Sequence, residues 1–99
     1  MTLMSRWLLE RRLSQATERL AALRAELAHV EEQCTVFADE AADHELRALV
    51  SETPLAGHEA SDARRHASAM ARHRDHLLLS IADLERRQDD ILDSLGAVR

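Results

Sequence analysis

The amino-acid sequence predicts an all-α protein, a two-helix antiparallel coiled-coil hairpin. The first observation is compositional: Ala, Leu, Glu and Arg dominate the 99 residues, with one Phe, one Trp and no Tyr, and this composition is typical of long helices. The second is that apolar or small residues recur at alternating steps of four and three. The third is that a single segment containing Pro and Gly separates the two periodic runs.

Each half of the chain carries an apolar seam whose average step of 3.5 residues indicates a coiled coil. Arg74 and Gln88 are the polar interruptions. The first run comprises Leu9, Leu13, Ala16, Leu20, Leu23, Leu27, Val30, Cys34, Phe37 and Ala41, continued by His44 and Ala48. The second run comprises Ala60, Ala63, Ala67, Met70, Arg74, Leu77, Ile81, Leu84, Gln88, Ile91, Leu95 and Val98.

The segment between the runs contains the only Pro and one of the two Gly residues. Pro54 disfavours helical geometry at Thr53, so we predict a turn over residues 52–58. Helix one is then predicted from about residue 3 to 51 and helix two from about 59 to 96, with Gly96 at its C-cap. We interpret residues 1–99 as a single helical hairpin.

Charged residues beside the seam select between possible registers of the two helices. We prefer the register that forms the larger number of opposite-charge pairs between the helices. This register also sets Phe37 against Arg74, where a cation–π contact would make a seam arginine tolerable. The alternative, one heptad away, sets Arg19 against Arg87 and loses most of the ion pairs. The pairs predicted in the preferred register are Arg24 with Glu85, Glu45 with Arg64, Glu26 with Arg87, Glu40 with His73, and Glu10 with Arg99.

The preferred register leaves the start of helix one without a partner. Helix two ends opposite Leu13, so residues 1 to about 11 form an overhang, which also carries Arg6, Arg11 and Arg12. Apolar side chains next to arginine suit a docking helix in a protein groove, a dimer interface or, as the weaker alternative, an anionic membrane surface. We name the following residues the N-terminal apolar patch: Leu3, Met4, Trp7, Leu8 and Leu9.

A lone hairpin of this size has a thin core, because many seam layers are alanine. Burial of apolar residues that lie off the seam would enlarge that core. We therefore expect self-association as a homodimer, with a four-helix assembly as one form of it. The off-seam apolar residues are Val36, Leu46, Leu49, Val50, Leu78, Leu79 and Leu92.

Enzyme chemistry is not predicted. Cys34 lies on the seam, the six His residues form no compact zinc motif, and no phosphate-binding Gly loop occurs. We expect no cofactor and no metal. The net charge of −5 argues against direct nucleic-acid binding. A single Cys, the absence of a membrane span or signal peptide, and the use of Arg without Lys favour a bacterial cytoplasmic protein.

The predicted turn supports a second hypothesis. Nine of the acidic residues fall between Glu31 and Asp62, and Glu52, Leu55 and Glu59 lie at or beside the turn. Such a tip is similar in shape to that of transcript-cleavage factors of the Gre type, which carry acids on the turn of a helical hairpin but also have a second globular domain. The shape implies a regulator that inserts an acidic hairpin tip into a nucleic-acid-processing machine.

The first hypothesis is a non-enzymatic adaptor or assembly protein that docks or dimerises through the N-terminal apolar patch.

Overall fold

The computed structural model describes the backbone of residues 3–97 and the side chains of residues 5–97. Helix α1 spans Leu3–Ser51 and helix α2 spans Pro54–Ala97. No strand occurs within residues 3–97. The predicted all-α fold of two helices in a hairpin is therefore confirmed.

The predicted seam coincides with the core. Every seam position whose side chain is described is buried or half-buried, because the 3.5-residue step keeps these side chains on the inner face of each helix. No fully buried residue among residues 5–97 is polar or charged. The buried residues are Ala16, Leu20, Leu23, Val30, Ala41, Ala60, Leu77 and Ile81.

The turn is shorter than the predicted 52–58, and the predicted start of helix two near residue 59 is wrong. Helix α2 begins at Pro54, where proline is favoured because the first helical N–H has no intrahelical acceptor. The hydroxyl of Thr53 accepts a hydrogen bond from the backbone N–H of Ala56 at 3.2 Å and so caps the helix. The pair Thr53-Pro54 thus starts helix α2, whereas the sequence predicts that it lies within a longer turn.

Helix α1 ends at a residue with left-handed backbone. Glu52 has a φ of 54°, and its N–H donates to the carbonyl of Ala48 at 3.0 Å. This bond satisfies one of the carbonyls that a helix C-terminus otherwise leaves free. At the far end of α2, Gly96 lies inside the helix, which continues to Ala97.

The chain divides into two compact units. Unit 1 comprises Met1–Glu26 and Leu77–Arg99, and its two helical segments run antiparallel. Arg24 Nη2 lies 3.7 Å from Glu85 Oε2, which confirms one predicted ion pair. Gln88 also donates a hydrogen bond to the Thr17 hydroxyl at 3.2 Å, so the polar seam position has a partner.

Unit 2 comprises Leu27–His76 and contains the turn. Arg64 Nη1 donates to Glu45 Oε1 at 3.0 Å, so a second predicted ion pair is confirmed.

The contact predicted between Phe37 and Arg74 in unit 2 is replaced by others. The Phe37 ring meets the His66 ring edge-on, with centroids 6.2 Å apart, and Arg74 donates two hydrogen bonds to the adjacent Asp75. A carboxylate is a stronger partner for a guanidinium than a ring face is.

Candidate interaction surface

The N-terminal apolar patch lies in unit 1 on the first turns of α1. The side chain of Trp7 is 56% exposed and that of Leu8 is 42% exposed, while Leu9 is half-buried. The side chains of Leu3 and Met4 lie outside the described residues. Two large apolar side chains thus stand side by side in contact with solvent.

The register of unit 1 explains this exposure. Arg24 lies beside Glu85, and both helices rise about 1.5 Å per residue, so Ala97 lies level with about residue 12 of α1. Residues 5–11 therefore lie beyond the described end of α2. The described residues that line a shallow recess at this level all belong to α1: Ser5, Leu8, Leu9 and Arg12.

Arginine side chains make the surroundings of the patch cationic. The guanidinium carbon of Arg11 stands 5.6 Å from the centroid of the Trp7 ring, a cation–π distance. Arg6 Nε donates to Glu10 Oε1 at 3.0 Å. The Trp7 ring is consequently covered on one side by a cation, and its remaining surface is available for contact with another molecule.

A second feature of unit 1 adjoins the patch, a groove between α1 and α2 that we call the arginine-rimmed groove. It has a volume of about 350 Å³, and Arg12 lines both it and the recess beside Leu8. Leu84, Ile91 and Ala16 give it an apolar floor, and exposed arginines stand at its rim. The lining residues are Arg12, Gln15, Ala16, Arg19, Leu84, Arg87 and Ile91.

This groove was not predicted from the sequence. The approach of Arg19 to Arg87 was interpreted as a repulsion that the preferred register avoids, yet both side chains line the same groove. Arg87 is paired with Asp83 at 3.1 Å, whereas Arg12 and Arg19 make no ion pair with any residue in the range 5–97. The spacing of seven between Arg12 and Arg19, each one residue before a seam leucine, was the available signal.

The residues predicted at the tip do not form an acidic pair. Glu52 is exposed in its left-handed conformation and Leu55 is 68% exposed. Glu59 instead faces the other helix, where its Oε2 lies 4.0 Å from His44 Nδ1. Exposed apolar side chains surround the turn: Leu46, Leu49, Val50 and Leu55.

Two histidines of unit 2 lie near acidic residues. His44 and His66 line a shallow recess with the acids Glu40, Glu59 and Asp62. Nevertheless, no group of three or more His, Cys, Asp or Glu residues in the described part of the chain is arranged to hold a metal ion. Cys34 is a free thiol, half-buried on the seam.

Comparisons with known proteins identify no relative. No protein-family model matches the chain, and neither a search of curated proteins nor a search of solved structures found a match. Neither helix, over its described residues, has an apolar stretch of the length needed to cross a bilayer.

Proposed function

We propose that this protein is a non-enzymatic coiled-coil adaptor or assembly protein of the bacterial cytoplasm that acts through protein–protein interaction. The observation that carries the proposal is the exposure of Trp7, 56%, on a helical segment beyond the described end of α2. Exposing an indole beside Leu8 leaves apolar surface in water at a cost of about 25 cal/mol per Å². A partner that covers both side chains recovers this free energy.

The chemistry of the patch favours a protein partner. Trp and Arg are the residue types most enriched among those that dominate binding energy at protein interfaces. Here Trp7 and Arg11 are already in contact, which reduces the side-chain entropy lost on docking. A helix that presents Trp7, Leu8 and Arg11 is suited to the groove of another protein or to a second copy of this chain.

The proposal is tested by replacing Trp7 and Leu8 with Ala in the full chain. Oligomer mass is measured by light scattering, and partner capture by pull-down from a bacterial lysate. We expect a lower mass or lost capture, with the far-ultraviolet circular dichroism of the native chain retained, because both side chains are exposed and contribute little to the core.

A matched control replaces Leu79 and Leu92, which are also exposed in unit 1 but lie on α2. This control removes exposed apolar area outside the patch. If the patch is the docking surface, mass and capture should fall further in the Trp7 and Leu8 variant than in this control. If the Trp7 and Leu8 variant keeps the mass and the partners of the native chain, the patch is not a docking surface. Binding of the native chain to anionic vesicles, lost in the Trp7 and Leu8 variant, would assign the patch to a membrane instead.

The alternative function, regulation of a nucleic-acid-processing machine by an inserted acidic tip, is supported by the exposed Glu52 at the turn. It is the weaker candidate because Glu59 faces the other helix, where its Oε2 lies 4.0 Å from His44 Nδ1, and does not stand beside Glu52 at the turn. Replacing Glu52 and Glu59 with Gln should abolish such regulation without changing the oligomer mass. Regulation that survived both replacements would eliminate the tip from the mechanism.

A further inference from the structure

The arginine-rimmed groove of unit 1 places three cations around apolar side chains. Arg12, Arg19 and Arg87 line it, and none of its lining residues within the described range is acidic. Asp83 pairs with Arg87 at 3.1 Å, whereas Arg12 and Arg19 make no ion pair with any residue in the range 5–97. Because a guanidinium binds a carboxylate through two parallel hydrogen bonds, the groove favours an occupant that carries carboxylates.

The cationic and apolar side chains follow one another along the axis of the groove. Gln88 is hydrogen-bonded to Thr17, so α1 and α2 are level at these residues. The helices run in opposite directions and each rises about 1.5 Å per residue, so Ile91 lies level with about residue 14 of α1 and Arg87 with about residue 18. The successive levels are Arg12, then Ile91 with Ala16, then Arg19 with Arg87.

The spacing of these levels matches a helix laid along the groove. Arg12 and Arg19 are seven residues apart on one helix, which is about 10.5 Å. An occupant helix presents side chains of one face at the same interval of seven residues, with a further position three or four residues on between them. An extended peptide does not match, because the side chains on one of its faces recur every ~6.7 Å.

The apolar floor determines what the occupant carries at the middle level. This level is formed by Ile91, which is half-buried, and by Ala16, whose side chain ends at the Cβ atom. A large aliphatic side chain placed there covers the exposed part of Ile91 and displaces water from apolar surface, which is favourable. The complementary helix therefore presents an acid, an apolar residue and a second acid at successive steps of three or four residues.

We infer that the arginine-rimmed groove binds an acidic amphipathic helix of another protein, which adds a third helix to unit 1. Carboxylates seven residues apart on that helix bind Arg12 and Arg19, and the aliphatic residue between them packs on Ile91. The inference rests on the proposed function, because Arg12 also lines the recess beside Leu8 of the N-terminal apolar patch, and it names the chemistry of the partner.

The experiment measures the binding of a synthetic helical peptide to the full chain. The probe is a labelled peptide of about 20 residues, long enough to be helical in water, in which Glu and Leu alternate at steps of three and four on one face. The control peptide has the same composition, with the Glu residues moved to the opposite face. Fluorescence anisotropy should show saturable binding of the probe, with a dissociation constant at least about tenfold higher for the control peptide.

Two variants of the chain locate the binding. Arg12→Glu with Arg19→Glu sets like charges against the probe and should raise its dissociation constant at least about tenfold. The matched control, Arg65→Glu with Arg72→Glu, makes the same charge change at the same spacing of seven on exposed positions of α2 in unit 2. At about 0.15 M salt, where charges more than ~8 Å apart are largely screened, this control should bind as the native chain does. Circular dichroism of both variants establishes that the helices persist.

Three results would overturn the inference: a probe that does not bind the native chain, a control peptide that binds as tightly as the probe, or equal binding by both variants. Two others assign the groove to a different occupant and overturn it as well. A native chain whose self-association is lost with Arg12→Glu and Arg19→Glu has a second copy in the groove. Binding to anionic vesicles that the same variant loses places a membrane there.

These failures are distinct from failure of the proposed function. If replacing Trp7 and Leu8 leaves oligomer mass and partner capture unchanged while the probe still requires Arg12 and Arg19, docking by the patch is wrong and the groove inference stands. If replacing Trp7 and Leu8 abolishes docking while the probe does not bind the native chain, the patch docks a partner and the groove inference is wrong.

Discussion

The two units of this protein have the same secondary structure but different interiors. In unit 1 the buried residues are mostly large, with Leu20, Leu23, Leu77 and Ile81 beside Ala16. In unit 2 they are small: Val30, Ala41 and Ala60. Burial of a large aliphatic side chain contributes about 1.5–3 kcal/mol and burial of alanine much less. Unit 1 therefore gains more free energy from the burial of large apolar side chains than unit 2 does.

Both units also expose large apolar side chains. Near the turn of unit 2, Leu46, Leu49 and Val50 stand in water, and its helices are joined by the ion pair of Glu45 with Arg64. A short heptad sequence can thus divide its apolar residues between an interior and an outer surface.

The largest expected effect comes from truncating the best-buried side chain of unit 1. Leu20 is 1% exposed, so Leu20→Ala should lower the free energy of unfolding by about 3 kcal/mol through lost burial and the cavity left behind. Urea unfolding followed by circular dichroism measures it. Leu79→Ala, at a position 70% exposed, should change stability by less than about 0.5 kcal/mol. Equal effects would show that unit 1 does not rely on its apolar interior.

In unit 2 the free energy of unfolding should fall when a buried side chain is enlarged, whereas in unit 1 it falls when a buried side chain is truncated. Ala60 is 3% exposed, so Ala60→Leu inserts volume between close helices and should cost about 2 kcal/mol. The comparison variant is Ala42→Leu, an exposed position of the same unit, which should be neutral or slightly destabilising because alanine has the higher helix propensity. A stable Ala60→Leu chain with unchanged circular dichroism would mean that the helices of unit 2 are not held close at this position.

The turn offers a gain in stability. Glu52 holds a φ of 54°, a conformation that costs a residue with a Cβ about 1 kcal/mol and glycine almost nothing. Glu52→Gly should therefore raise the free energy of unfolding by up to about 1 kcal/mol. Thr53→Ala, which removes the cap of α2, should lower it by about 1 kcal/mol. Denaturant midpoints that moved in the same direction would contradict this account of the turn.

The smallest effect concerns the ion pair in unit 2. The side chains of Arg64 and Glu45 are 58% and 46% exposed, so Glu45→Gln should cost only a few tenths of a kcal/mol. The loss should disappear at high salt, because screening weakens exposed pairs. A double-mutant cycle with Arg64→Gln isolates the coupling, and Glu31→Gln, an exposed acid on the same helix, is the control. Coupling that persisted in concentrated salt would contradict an exposed electrostatic pair.

The core could be predicted from the sequence because a heptad pattern imposes a strict geometric constraint. A helix has one inner face, and the 3.5-residue step identifies its members without knowledge of the partner. The charge test also worked at Arg24 with Glu85 and at Glu45 with Arg64, since flanking positions of antiparallel helices face one another.

The remaining contacts could not be predicted because small energy differences decide them. Arg74 pairs with Asp75 and not with Phe37, a choice between neighbours that differ by less than about 1 kcal/mol. The turn was overestimated because the same Thr-Pro pair that ends one helix can begin the next. The arginine-rimmed groove was missed because it exists only when side chains of two helices are seen together.

The two-residue turn also sets how easily the two helices could join into one. Only Glu52 and Thr53 separate α1 from α2. Helical backbone at both would merge the helices into one continuous rod, and each half of its seam would then be covered by a second rod, which is a domain-swapped dimer. Pro54 opposes this outcome because it disfavours helical geometry at Thr53. Pro54 therefore also disfavours the continuous helix through which two chains would exchange their helices.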